Sequence, residues 1–127
     1  LHDALPICGD TYMEYPLAVL INGDSASASE ILAGAIKDYE YGTLIGTTTF
    51  GKGIVQTIFP LEDGDAVKRT TAKYFTPNGN YIHGVGIDPD IELEYEYLNP
   101  DGTEYDVKYD NQIQKAVEVL TEELSGK

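Results

Sequence analysis

The apolar positions of this chain fall into short blocks separated by turn residues. Leu17-Ala-Val-Leu-Ile21 is a continuous apolar run of strand length, which fits a strand covered on both faces. Asn22-Gly-Asp24 breaks it. Over residues 27–39 the period changes, and Ala28, Ile31, Leu32, Ala35 and Ile36 recur at helical spacing. Ser27-Ala-Ser-Glu30 has the form of a capping box at the start of that helix, and Gly42 follows its end. Residues 43–47 read as a second buried strand. The opening third is therefore strand, helix, strand, the pattern of a right-handed crossover unit. Residues 54–61 and 66–75 predict two strands joined at Asp63-Gly64, a strong hairpin signal. Residues 82–89 are Gly-rich and irregular, and residues 90–94 alternate as an edge strand does. A second amphipathic helix is expected over residues 112–124, with Ile113, Ala116, Val117, Leu120 and Leu124 on one face. The fold class is α/β in one domain, since no break in composition marks a second one.

Composition narrows the function. The 127 residues carry 22 acidic and 8 basic side chains, a formal charge of −14. That argues against nucleic-acid binding and against docking on anionic lipid, both of which want basic patches. One Cys allows neither an internal disulfide nor a multi-Cys metal site. No apolar run reaches the roughly 18–20 residues needed to span a bilayer. Leu-His-Asp-Ala-Leu-Pro-Ile at the start back-translates as CTACACGACGCTCTTCCGATC, a common sequencing-adapter end. Residues 1–8 are accordingly read as an artefact or as disordered, and residues 9–127 as the folded part.

Peptide-bond chemistry needs a nucleophile, a base and an oxyanion site. A histidine base is nearly excluded, because His83 would have to serve and His2 lies in the doubtful segment. Lysine can replace histidine where burial favours the free amine. Lys52 stands between Gly51 and Gly53, beside Phe50, Ile54 and Val55, where the chain can approach another element closely. A lysine on such a loop is more often simply solvated. Ser27 follows a strand and opens a helix, so the Ala28 N–H would lie at the positive helix end. Ser27 is equally a good N-cap, and Ser25 and Ser29 are equal candidates by composition.

The motifs break that tie. Asn22-Gly-Asp-Ser-Ala-Ser-Ala-Ser-Glu-Ile31, Asp38-Tyr39, Gly46-Thr-Thr-Thr-Phe-Gly-Lys-Gly-Ile-Val-Gln56, Thr76-Pro-Asn-Gly79 and Gly84-Val-Gly-Ile-Asp-Pro-Asp90 resemble the carboxyl-terminal processing (tail-specific) peptidases, in the same order and spacing. The likeness runs over residues 9–94. It implies a serine endopeptidase with Ser27 as nucleophile, Lys52 as general base and Gln56 orienting the lysine. It implies an oxyanion held partly by the Ala28 N–H, the other donor being a glycine upstream of this chain. It also implies a crotonase-like (ClpP/crotonase) fold of stacked β–β–α units, of which residues 9–127 are the C-terminal part. Neither metal nor cofactor is expected. The partners implied are unfolded or C-terminally tagged protein substrates, with a PDZ domain in the full-length chain. The location implied is extracytoplasmic, in the periplasm or cell envelope and membrane-tethered. Gly23-Asp24 departs mildly from the small or Gly-rich pair usual there. Two rival classes are a non-catalytic binding domain of the same fold and an acyl-CoA-handling crotonase relative. The latter would not need a paired Ser and Lys, and no basic cluster for CoA phosphates is present. One geometric question stays open: on a straight strand Lys52 and Gln56 would stand roughly 13 Å apart, so if they cooperate the chain must bend near Gly53 or both must approach Ser27 from different sides.

Overall fold

The computed structural model describes residues 15–100, 102 and 104–126. The segment of residues 1–8 lies outside them. Strand β1 (Ala18–Ile21) leads through helix α1 (Ala28–Asp38) to strand β2 (Thr43–Gly46). The two strands pair in parallel, Ala18 opposite Thr43 and Ile21 opposite Gly46, so the expected crossover unit forms. A two-residue strand β5 (Ile91–Glu92) adds to the far side of β2, also parallel. Between them, β3 (Ile54–Pro60) and β4 (Ala66–Lys73) form a separate antiparallel hairpin. Gly64, at φ 90°, takes the left-handed conformation its turn needs. After a short 3-10 turn, Val107–Tyr109, helix α2 (Asn111–Ser125) lies across β1 and β2.

The core is Ile21, Ala33, Ile36, Leu44, Ile82 and Ile87, with Leu17, Val19 and Tyr74 packed against it. Helix α1 reaches it closely because residue 34 is glycine. A Cβ there would meet the Thr76 methyl at 2.8 Å and Ile87 Cδ1 at 3.3 Å. This turns the helix away from the face its apolar spacing suggests. The buried stripe is Glu30, Ala33, Gly34 and Ile36, while Ile31 and Leu32 stand 54% and 59% exposed. Two further expectations are corrected. Leu20 is 40% exposed, so β1 is covered well on one face only. On α2, Val117 and Leu124 are exposed, because the helix docks through buried Gln112, whose amide donates to the Leu93 carbonyl at 2.6 Å.

Asp90 explains part of the last motif. Its carboxylate accepts the Leu44 N–H at 2.8 Å and pairs with Lys37 at 2.9 Å, and its own N–H donates to the Leu44 carbonyl. One residue thus ties α1, β2 and the start of β5 together, and fixes the segment on which the Lys52 loop rests.

Candidate functional site

The turn between β1 and α1 separates the three serines. The Ser25 hydroxyl is used inside the turn, accepting the Asn22 N–H at 3.1 Å. The Asn22 side chain in turn accepts the Asp24 N–H. Ser29 is exposed on the first turn of α1. Ser27 is the N-cap, with φ 57° and ψ −111°. A non-glycine residue there is strained by about 1–3 kcal/mol and persists only where its surroundings over-determine it. Here the restraint is the Glu30 carboxylate, which accepts the Ser27 N–H at 2.9 Å.

Glu30 does much more than cap. It is fully buried, and its two oxygens also accept the Thr49 hydroxyl at 2.7 Å, the Gly51 N–H at 2.6 Å and the Lys52 N–H at 2.7 Å. Burial pushes its carboxyl pKa up, the hydrogen bonds push it down, and the hydrogen bonds prevail: it lies below the ordinary 4.5. One ionised side chain therefore locks the turn carrying Ser27 to the loop carrying Lys52.

That loop is not a free glycine loop. Gly51 and Gly53 are buried and Lys52 is half-buried. Gly51 has φ 86°, and a Cβ on it would stand 3.0 Å from the Gly86 nitrogen and 3.1 Å from that of Val85. A Cβ on Gly53 would stand 2.8 Å from the His83 nitrogen. The Gly51 carbonyl accepts the Gly84 N–H at 2.9 Å and, from the side, His83 Nδ1 at 3.1 Å. His83 is thus a brace of the loop. The glycines earn their place by letting two backbones touch, and the lysine between them is held from several directions.

Ser27, Ala28, Lys52 and Gln56 line one cleft of about 390 Å³, walled by Ile31, Ile54, Val55, Ile58, Lys68 and Tyr74. The Ala28 N–H has no hydrogen-bond acceptor among the described residues, as befits a first-turn amide with no intrahelical partner. It is available to an anion at the positive end of α1. No carboxylate pairs with the Lys52 amine among the described residues. No hydrogen bond joins the Ser27 hydroxyl, the Lys52 amine and the Gln56 amide, an open arrangement common before substrate binds. Lys52 precedes β3 and Gln56 lies within it, and the ladder between them shifts register at Val55 and Gln56. The sequence reading treated Glu30 as a cap and gave Tyr74 no role. The apolar spacing of α1 did not mark the first, because it put the buried face at other positions.

The chain is similar to known proteins. Peptidase family S41 matches residues 8–93 of the chain. The carboxy-terminal-processing protease of Bartonella bacilliformis is 58% identical over 86 residues, covering 68% of this chain and 20% of that protein. The carboxyl-terminal-processing protease of Synechocystis is 44% identical over 113 residues, covering 89% of this chain and 26% of that protein. Among solved structures, a photosystem II D1 C-terminal processing protease superposes with a TM-score of 0.59 at 51% identity, covering 62% of this chain and 20% of that one. The chain thus spans about a fifth to a quarter of these relatives. The matched segment holds both loops that Glu30 joins and the whole wall of the cleft, and on that extent of likeness the chain belongs to peptidase family S41.

Proposed function

We propose that this chain is the nucleophile-bearing part of a serine endopeptidase that cleaves proteins near their C-terminal tails with a Ser27–Lys52 dyad. The observation that carries the reading is the cleft itself: a strained serine, a lysine on a braced loop and an unpaired Ala28 N–H face one space. The Lys52 amine takes the Ser27 proton as Oγ bonds to the scissile carbonyl carbon. The carbonyl π pair moves onto oxygen, which the Ala28 N–H stabilises. When that pair returns, the C–N bond breaks, and Lys52 passes its proton to the leaving amine. Water then attacks the acyl-enzyme, again losing a proton to Lys52, and the acid product departs. Gln56, on the same cleft, is placed to orient the lysine.

The finer points of this reading are proposed on family resemblance. Residues 9–127 are the C-terminal part of a crotonase-like peptidase domain, with residues 1–8 foreign or disordered. The second oxyanion donor and part of the groove come from upstream. A PDZ domain gathers unfolded or tagged substrates, and the working site is extracytoplasmic and membrane-tethered. No metal or cofactor takes part. The chain alone is expected to be inactive, since the loss of one oxyanion donor by itself typically costs about 10²–10³ in rate and part of the groove is contributed by other residues. In the full-length peptidase, Ser27→Ala should abolish cleavage of an unfolded protein substrate while the fold survives, since an N-cap is worth about 0.5–2 kcal/mol. Near-wild-type turnover by a folded Ser27→Ala protein rejects the nucleophile.

A further inference from the structure

Glu30 holds the Lys52 loop by its amide nitrogens, which leaves the carbonyl side of the lysine to be fixed by something else. That partner is Tyr74, the residue after β4. Its ring packs against the core, its N–H donates to the Gly53 carbonyl at 3.1 Å, and its hydroxyl donates to the Lys52 carbonyl. It is half-buried and forms part of the wall of the cleft that Ser27, Lys52 and Gln56 line. The peptide units on both sides of Lys52 Cα are therefore tied: the N–H to α1 through Glu30, the carbonyl to the core through Tyr74.

This matters because, among the described residues, no hydrogen bond or ion pair holds the Lys52 amine itself. The Lys52 amine has no ion-pair partner among the described residues, and a four-carbon stem has many rotamers. Where the amine can reach is set by where its Cα sits and how its peptide is turned. We infer that Tyr74 is a positioning residue of the peptidase, acting through its hydroxyl on the Lys52 carbonyl to aim the amine at Ser27. The inference rests on the Ser27–Lys52 reading.

Tyr74→Phe isolates the hydroxyl, because the ring keeps its packing and the backbone bond to Gly53 stays. In the full-length peptidase the variant should lose about 10- to 100-fold in kcat, the scale expected for a displacement of about 1 Å in a reacting group, with KM for a peptide substrate unchanged. Its melting temperature should fall little. The decisive readout is coupling. Single-turnover acylation of Ser27 by an activated ester is measured in wild type, Tyr74→Phe, Lys52→Ala and the double variant. If Tyr74 acts through Lys52, the double variant reacts at the rate of Lys52→Ala alone. Equal slowing by Tyr74→Phe with and without the lysine overturns the inference, and so does a wild-type kcat in Tyr74→Phe. Lys52→Ala acylating as fast as wild type is a different result: it overturns the dyad, and the inference with it.

Discussion

Two neighbouring regions supply the cleft, and they are built in opposite ways. The Ser27 turn and the Lys52 loop are locked together by a buried carboxylate and by glycines that let backbones touch. The β3–β4 hairpin, which carries Gln56, is exposed along nearly all its length and is held chiefly by its own ladder. The groups proposed to exchange a proton thus sit on the stiff side. Gln56, proposed to orient the amine, sits on the softer side. Geometry for chemistry has been placed where a single charged residue can fix it, and the supporting geometry where the chain can yield.

The largest expected effect breaks the stiff side. Glu30→Ala strands the Gly51 and Lys52 amides, the Ser27 amide and the Thr49 hydroxyl in one stroke. With about 1–3 kcal/mol lost for each buried donor left without a partner, the variant should lose more than 3 kcal/mol in urea unfolding. A loss under 1 kcal/mol would mean the clamp is dispensable. Glu30 also sets an acid limit. Its folded pKa is lowered, so its stabilisation is fully present above the ordinary 4.5 and is lost as pH falls from there through the folded value. Melting temperatures should therefore drop on acidification below about 4.5 in wild type, and Glu30→Gln should flatten part of that slope.

A matched pair of glycines sharpens the comparison. Gly51 and Gly64 both have positive φ, 86° and 90°. A Cβ on Gly51 meets three backbone nitrogens at 3.0–3.2 Å, whereas one on Gly64 meets nothing within 4 Å. Gly64→Ala should cost about 1 kcal/mol for conformation alone and leave activity intact. Gly51→Ala should cost about 2–3 kcal/mol or more and remove most activity, because the Lys52 loop must move. Equal costs at the two sites would show that the packing around Gly51 is loose. The smallest effect belongs to the soft side: Gln56→Ala should change stability by no more than about 0.5 kcal/mol, while slowing cleavage less than any change at Lys52.

Much of this architecture is legible in the sequence. Periodicity alone places both helices, the parallel pair and the hairpin, because each is specified by local spacing and by turn residues such as Asp63-Gly64. What periodicity misses depends on partners far away along the chain. The apolar spacing of α1 predicts a face of Ala28, Ile31, Leu32, Ala35 and Ile36; Ile36 is buried, yet Gly34 against Thr76 and Ile87 rotates the helix so that Glu30 and Ala33 turn inward and Ile31 and Leu32 outward. Glu30 matches a capping box from its immediate neighbours. Its larger role needs the amides of Gly51 and Lys52, which only the fold brings to it. The same holds for Lys52: two flanking glycines suggest mobility until His83, Gly84 and Gly86 are found pressed against them. The register shift of the ladder between Val55 and Gln56 is likewise announced by no residue type.

The central claim is that Lys52 activates Ser27 as a base rather than as a fixed charge. Arginine at 52 keeps the charge but does not release a proton near neutral pH, its pKa being above about 12. The direct measurement is the rate at which a fluorophosphonate labels Ser27 in the full-length peptidase and in its folded Lys52→Arg variant. The dyad predicts rapid labelling of the wild type at Ser27 and labelling of Lys52→Arg no faster than that of Lys52→Ala. Labelling of Lys52→Arg at the wild-type rate would contradict it.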